Sequence, residues 1–367
     1  MQLRRDHRLD IIKGICILGV VGIHFAGSFI GREGQRWEPA FYLGVLWNQI
    51  FTFAVPVFLF ISGLLIGKYD HFSIATFYYS RLYRILSQYF LACLAWWILF
   101  PHATFIQDLT WNNFFVRLFY RGIHGTYFFV STLLQLIILA PLIRWLVNST
   151  SEKLGRYNVF IFAAFLLAMH LLIGNACFKG DLNYYYYCLP SSLFWLFFFF
   201  FGLYAERLVT TIYTYIGFKI PFITLSLCAI SCQAYNLYKC FTPEIAGVDV
   251  SLIPFDSAYS RPIMLAYDLS IVSCIALVVT CTQFDFSRWL HFFSYFGKYS
   301  YEIYLWHLIL LQYIAWEHQK VMQICEKNPI AIIFICIFTC IIISLARLLI
   351  DLLIKFTRKT WLNFIHN

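Results

Sequence analysis

Charge is scarce in this chain. Only 12% of its 367 residues are Asp, Glu, Lys or Arg, about half the share found in a soluble domain, which excludes a water-soluble globular enzyme. Short alternating segments are missing too: the apolar runs are long and continuous, which excludes a membrane β-barrel. No metal-ligand set such as HExxH occurs, and no serine nucleophile sits in a recognisable hydrolase motif. The twelve cysteines form no CxxC pair and no metal-type spacing, so no metal is expected. The first apolar run is too long for a cleavable signal peptide, and a second follows at once.

What is present is hydrocarbon. Hydrophobic residues make up 61% of the chain, aromatics 21%, and the mean hydropathy is +0.72. Runs of about 20 apolar residues, enough to cross a core of about 30 Å as helices, recur along its length. They predict an all-α polytopic membrane protein of about ten transmembrane helices, forming one membrane-embedded domain over 1–367 with no separate soluble domain. The spans are expected near 9–30, 41–67, 82–101, 125–148, 157–176, 189–210, 217–235, 263–283, 298–320 and 329–357. With the N-terminus inside, 18 of the 27 Lys and Arg residues fall on the inner side and nine on the outer. That bias predicts both termini in the cytoplasm. It also accounts for the net charge of +9 without a nucleic-acid partner. Most cysteines read as buried apolar thiols, although Cys177 and Cys188 flank one outer loop and are placed to pair. The NST at Asn148 falls on the inner face, away from glycosylation.

Polar residues inside such spans are costly and point to function. "RLDIIKGICILGVVGIH" (Arg8 to His24) puts Lys13 and His24 eleven residues apart, which returns to one helix face about 16 Å further along, near mid-bilayer. The same stretch is also readable as a lysine snorkelling to the inner surface and a histidine packed between helices. "SRLYRI" puts Arg81 and Arg84 on one face at the mouth of the third span. Paired guanidiniums suit phosphates; a positive-inside anchor is the plainer alternative. "FGKYSYEIYLWH" carries Glu302 and His307 into an apolar run, among rings that an interface belt would explain. Asp268 is a further acid within a span. On the outer loops, Glu33 and His124 lie among aromatic residues that stack well on sugar rings.

In order, the chain resembles the acyltransferase-3 family of integral membrane O-acyltransferases. The resemblance rests on "RLDIIKGICILGVVGIH", "FLFISGLLI", "RLYR", "YFFVSTLLQLIILAPLI" and "GKYSYEIYLWH", and runs from about residue 8 to 307. It implies a ten-span enzyme that takes an acyl group, most often acetyl, from cytoplasmic acetyl-CoA and esterifies a hydroxyl of an envelope polysaccharide. It implies His24 as the catalytic residue and Arg81 and Arg84 as donor-binding residues. The family's arginine upstream of the histidine falls on Lys13, which keeps the charge but not the bidentate fork. Asp10, Glu302, His307 and Asp268 are candidate supporting groups, and Glu33 and His124 candidates for the acceptor side. The implied partners are acyl-CoA, a polysaccharide or lipid-linked glycan acceptor and membrane lipids, in a bacterial inner membrane. The alternative reading of the same intramembrane charges is a multi-span transporter or flippase, which would be expected to show paired broken helices or internal repeats.

Overall fold

A computed structural model describes residues 6–30, 38–68, 73–108, 110–241, 259–282 and 286–366. Among them there is no β-strand, as a chain must arrange that satisfies its backbone within hydrocarbon. In chain order the helices are α1 (His7–Gly27), α2 (Pro39–Ile50), α3 (Ala54–Gly67), α4 (Ile74–Leu99), α5 (Thr104–Gln107) and α6 (Trp111–Val116). They continue with α7 (Phe128–Leu154), α8 (Asn158–Lys179), α9 (Ser192–Leu203), α10 (Ala205–Ile216), α11 (Lys219–Phe241) and α12 (Pro262–Cys281). The last four are α13 (His291–Lys298), α14 (Ser300–Leu311), α15 (Gln319–Lys327) and α16 (Pro329–His366).

Eight helical stretches of the described residues are long and apolar enough to cross a membrane. The chain is an all-α polytopic integral membrane protein. Two of the expected spans take a different form. Residues 189–210 fall on α9 and α10, a pair bent by 63°. The break comes at Tyr204, where the phenylalanine-rich α9 gives way to an α10 bearing the exposed Glu206, Arg207 and Thr214. Residues 298–320 fall on α14, twelve residues long, which runs into a five-residue π-helical turn at Gln312–Trp316. Apolarity marked where these segments enter hydrocarbon; the tighter and wider turns inside them shift with packing.

The chain gathers into two compact units, Met1–Phe51 with Asp285–Asn367, and Thr52–Phe284. In the first, α1 is the central helix, packed on α2, α13, α14 and α16. Small residues permit this: the space a Cβ would take on Gly14 is filled by the Phe293 carbonyl, and that on Gly297 by the Asp10 carbonyl. The backbones of α1 and α13 therefore touch, as small-residue helix contacts in membranes allow. In the second unit α3 and α9 meet in the same way, Gly63 against the Phe199 carbonyl and Gly202 against the Phe60 carbonyl. There a disulfide joins Cys177 to Cys188, closing the loop that the sequence marked for pairing.

Candidate functional site

Building up from α1, the first polar group is Asp10, 4% exposed. Its carboxylate lies 2.8 Å from the Lys13 Nζ, one turn further on. Acid before base along a helix is the favourable order for such a pair, and the contact leaves the two residues neutral together. Higher up, Trp47 of α2 donates its indole N–H to the Gly19 carbonyl at 3.0 Å, fixing α2 along the middle of α1.

His24 lies in the last turn of α1. Lys13 lies about two turns from the start of the same helix, which runs from His7 to Gly27. The His24 ring stacks on that of His307, with centroids 5.3 Å apart and planes at 27°. His307, on α14, is completely buried. Its Nδ1 lies 3.1 Å from the Ile303 carbonyl oxygen and 2.8 Å from that of Tyr304. Carbonyl oxygens only accept, so Nδ1 carries a hydrogen, and in the neutral form of the ring the lone pair lies at Nε2. Two residues 283 positions apart in the chain thus form one imidazole pair.

Glu302 takes no part in that pair. Five residues on a helix turn through about 140°, so Glu302 and His307 leave α14 on different faces. Glu302 meets Arg347 of α16 at 3.4 Å, and Arg347 also reaches Asp351 at 3.3 Å. This three-member ionic cluster ties α14 to α16.

Apart from Glu33, the remaining predicted residues lie in the second unit. Arg81 and Arg84 sit in the third turn of α4, not at its opening, because α4 starts at Ile74, ahead of the apolar run. The two arginines have different surroundings. The Arg81 guanidinium lies over the Phe77 ring at 5.4 Å, a cation–π contact one turn back, whereas Arg84 is exposed. Asp268, 2% exposed, accepts a hydrogen bond of 2.9 Å from the Thr52 hydroxyl. Thr52 occupies the 3₁₀ turn Phe51–Phe53 that interrupts the span 39–67, a partner that spacing alone gave no means of finding. His124 stacks on Trp96 with centroids 5.4 Å apart and planes at 9°. Its Nδ1 accepts the Thr126 backbone N–H at 3.3 Å, which caps the turn leading into α7. Burial among these rings pushes the His124 imidazole down to about 4. Glu33 lies outside the described residues. Among the described residues no group of three His, Cys, Asp or Glu side chains is placed to hold a metal ion.

Residues 6–348, nearly the whole chain, match the family model described as an acyltransferase domain. No curated protein and no solved structure matches the chain. The family match takes in the whole of α1 and α14, with their stacked histidines, and both arginines of α4. Together with the membrane-crossing helices, it shows that the chain belongs to the acyltransferase-3 family of membrane acyltransferases.

Proposed function

We propose that this acyltransferase moves an acetyl or related acyl group from cytoplasmic acyl-CoA to a hydroxyl of an envelope or extracellular polysaccharide, or of its lipid-linked precursor, in a bacterial inner membrane. The observation that carries the reading is the His24–His307 stack. Imidazole is the side chain best suited to exchanging protons near neutral pH, and the tautomer of His307 is held by its own helix. One imidazole takes the proton of the acceptor hydroxyl as its oxygen attacks the thioester carbonyl. The new C–O bond forms, the C–S bond breaks, and the CoA thiolate leaves and regains a proton. Transient acylation of the His24 ring is the two-step variant; it splits the same bond changes over two transfers.

On this reading Arg81 and Arg84 offer the donor's phosphates fixed-charge forks, and Lys13, in its own unit, offers a point charge. Asp10 positions Lys13. His124 and the aromatic outer loops serve the acceptor, where a neutral imidazole exchanges hydrogen bonds with sugar hydroxyls. The test uses membranes holding the protein, acetyl-CoA labelled in the acetyl group, and a glycan extract. Wild type is expected to leave label in the glycan, and His24→Ala to abolish it. Equal label from both removes the assignment, and label-free translocation of a glycan would favour the transporter reading instead.

A further inference from the structure

The charge of Lys13 raises a difficulty for donor binding. A CoA molecule carries a phosphomonoester and a diphosphate, so several negative charges need partners. Yet Lys13 lies 2.8 Å from the carboxylate of a nearly buried Asp10, and the pair contributes little net positive charge in the first unit. Lys298 supplies what is missing. It is exposed, has no ion pair among the described residues, and holds its Nζ 4.7 Å from the centre of the Tyr299 ring. Its position relative to Lys13 is set by backbone contact. Gly14 and Gly297 face each other where α1 and α13 touch, with the Asp10 carbonyl against Gly297 and the Phe293 carbonyl against Gly14. Lys13 and Lys298 each adjoin one of those glycines in the chain, so both start from the same level of the α1–α13 contact. Immediately beyond, Ser300 opens α14, whose first backbone N–H groups add partial positive charge beside Lys298. Glu302, the acid of that first turn, is engaged by Arg347.

We propose that Lys298, with Lys13, forms a phosphate-binding site at the Gly14–Gly297 contact and that its ligand is the phosphate portion of CoA. This rests on the donor reading above, and it gives a role to the lysine of GKYSYEIYLWH, in addition to the donor-binding residues named above. The flexible stems of two lysines can bring their ammonium groups onto one phosphate ester, while the Tyr299 ring keeps the Lys298 head in place until it is displaced.

Equilibrium dialysis of labelled CoA against the full-length protein in detergent tests the site, with phosphate-free pantetheine as the second ligand. Lys298→Gln is expected to weaken CoA binding about tenfold or more, the scale of a lost charge-assisted contact. Pantetheine binding is expected to stay unchanged, and Lys298→Arg to bind CoA within about threefold of wild type. Unaltered CoA binding by Lys298→Gln overturns the site, and so does a parallel loss of pantetheine. Displacement of CoA by excess phosphatidylglycerol would also overturn it, reassigning the cation to a lipid headgroup. The two readings fail separately. A CoA-binding loss in Lys298→Gln with no acyl transfer by wild type sinks the reaction and leaves the site; normal transfer and binding by the variant sinks the site and leaves the reaction. A wild type that binds no CoA sinks both.

Discussion

The stacked histidines make the sharpest demand on experiment. His307 is fully buried, with its Nδ1 committed to helix carbonyls at 2.8 and 3.1 Å, so its one chemically available nitrogen is Nε2. Removing a positioned general acid or base costs about 10²–10⁴ in rate, or about 3–5 kcal/mol of barrier at 1.36 kcal/mol per tenfold. Two independent groups would multiply, giving on the order of 10⁴–10⁸ for a double variant. Rings with centroids 5.3 Å apart are close enough to act on one proton, and groups acting as a unit are strongly non-additive. His307→Phe is therefore expected to lose at least about a hundredfold in acyl transfer, and His24→Phe/His307→Phe little more than the worse single variant. Phenylalanine keeps an aromatic ring in the stack, so lost packing is largely separated from lost proton chemistry. Initial rates in proteoliposomes with labelled acyl donor supply the measurement, with thermal unfolding as the control for folding. A His307→Phe enzyme within about threefold of wild type, or a double variant whose loss is the product of the singles, would refute the paired role.

Three further outcomes are expected. Gly202→Ala places a methyl on the Phe60 carbonyl, so α3 and α9 must part; overpacking of this kind costs about 1–3 kcal/mol. The double variant with Gly63→Ala should cost less than the sum, since helices already parted admit the second methyl; unchanged Tm values in detergent would contradict the contact. The Cys177–Cys188 bridge closes a loop at a sequence separation of 11, for which the loop-entropy scale is about 3 kcal/mol. Cys177→Ser/Cys188→Ser should lower Tm accordingly. A membrane-impermeant maleimide should reach these cysteines from outside intact cells only after reduction; labelling without reductant would count against the bridge, and no labelling after reduction against the outer orientation. Burial holds His124 at about 4, below the unfolded value of about 6.5. The unfolded chain then takes up the proton first, so this contribution to stability is complete above pH 6.5 and is lost as pH falls toward 4. Wild type should lose Tm between pH 7 and 5 more steeply than His124→Gln; parallel slopes would show that the imidazole titrates normally.

Much of the architecture was legible as composition. Twenty-residue apolar runs leave the helix as the only open structure able to satisfy its backbone in lipid, and the helices α1, α4, α7, α8, α11, α12 and α16 follow such runs. Helix ends were less legible, because hydropathy reports entry into hydrocarbon while a helix continues wherever its backbone bonds can. That is why α4 begins at Ile74 and places Arg81 and Arg84 in its third turn. The bend at Tyr204 depends on how α9 and α10 pack, which no local pattern states.

The site divides along the same line. Residue type and position were written in the chain: Lys13 and His24 on α1, the RLYR arginines, and Glu302 and His307 as costly groups in an apolar run. Partnership was not. A histidine inside a span signals that something must satisfy it, and its helical phase says which face it leaves by, but neither says which of several other helices lies there. Only folding brought His307 onto His24 and turned Glu302 to Arg347. Only folding gave Asp268 the hydroxyl of Thr52 and brought Gly14 and Gly297, the chain neighbours of Lys13 and Lys298, against each other. Burial cost is a property of one residue and its neighbours in sequence, so it can be read from the chain. A contact between residues hundreds of positions apart belongs to the packing of whole helices, and tertiary structure alone decides it.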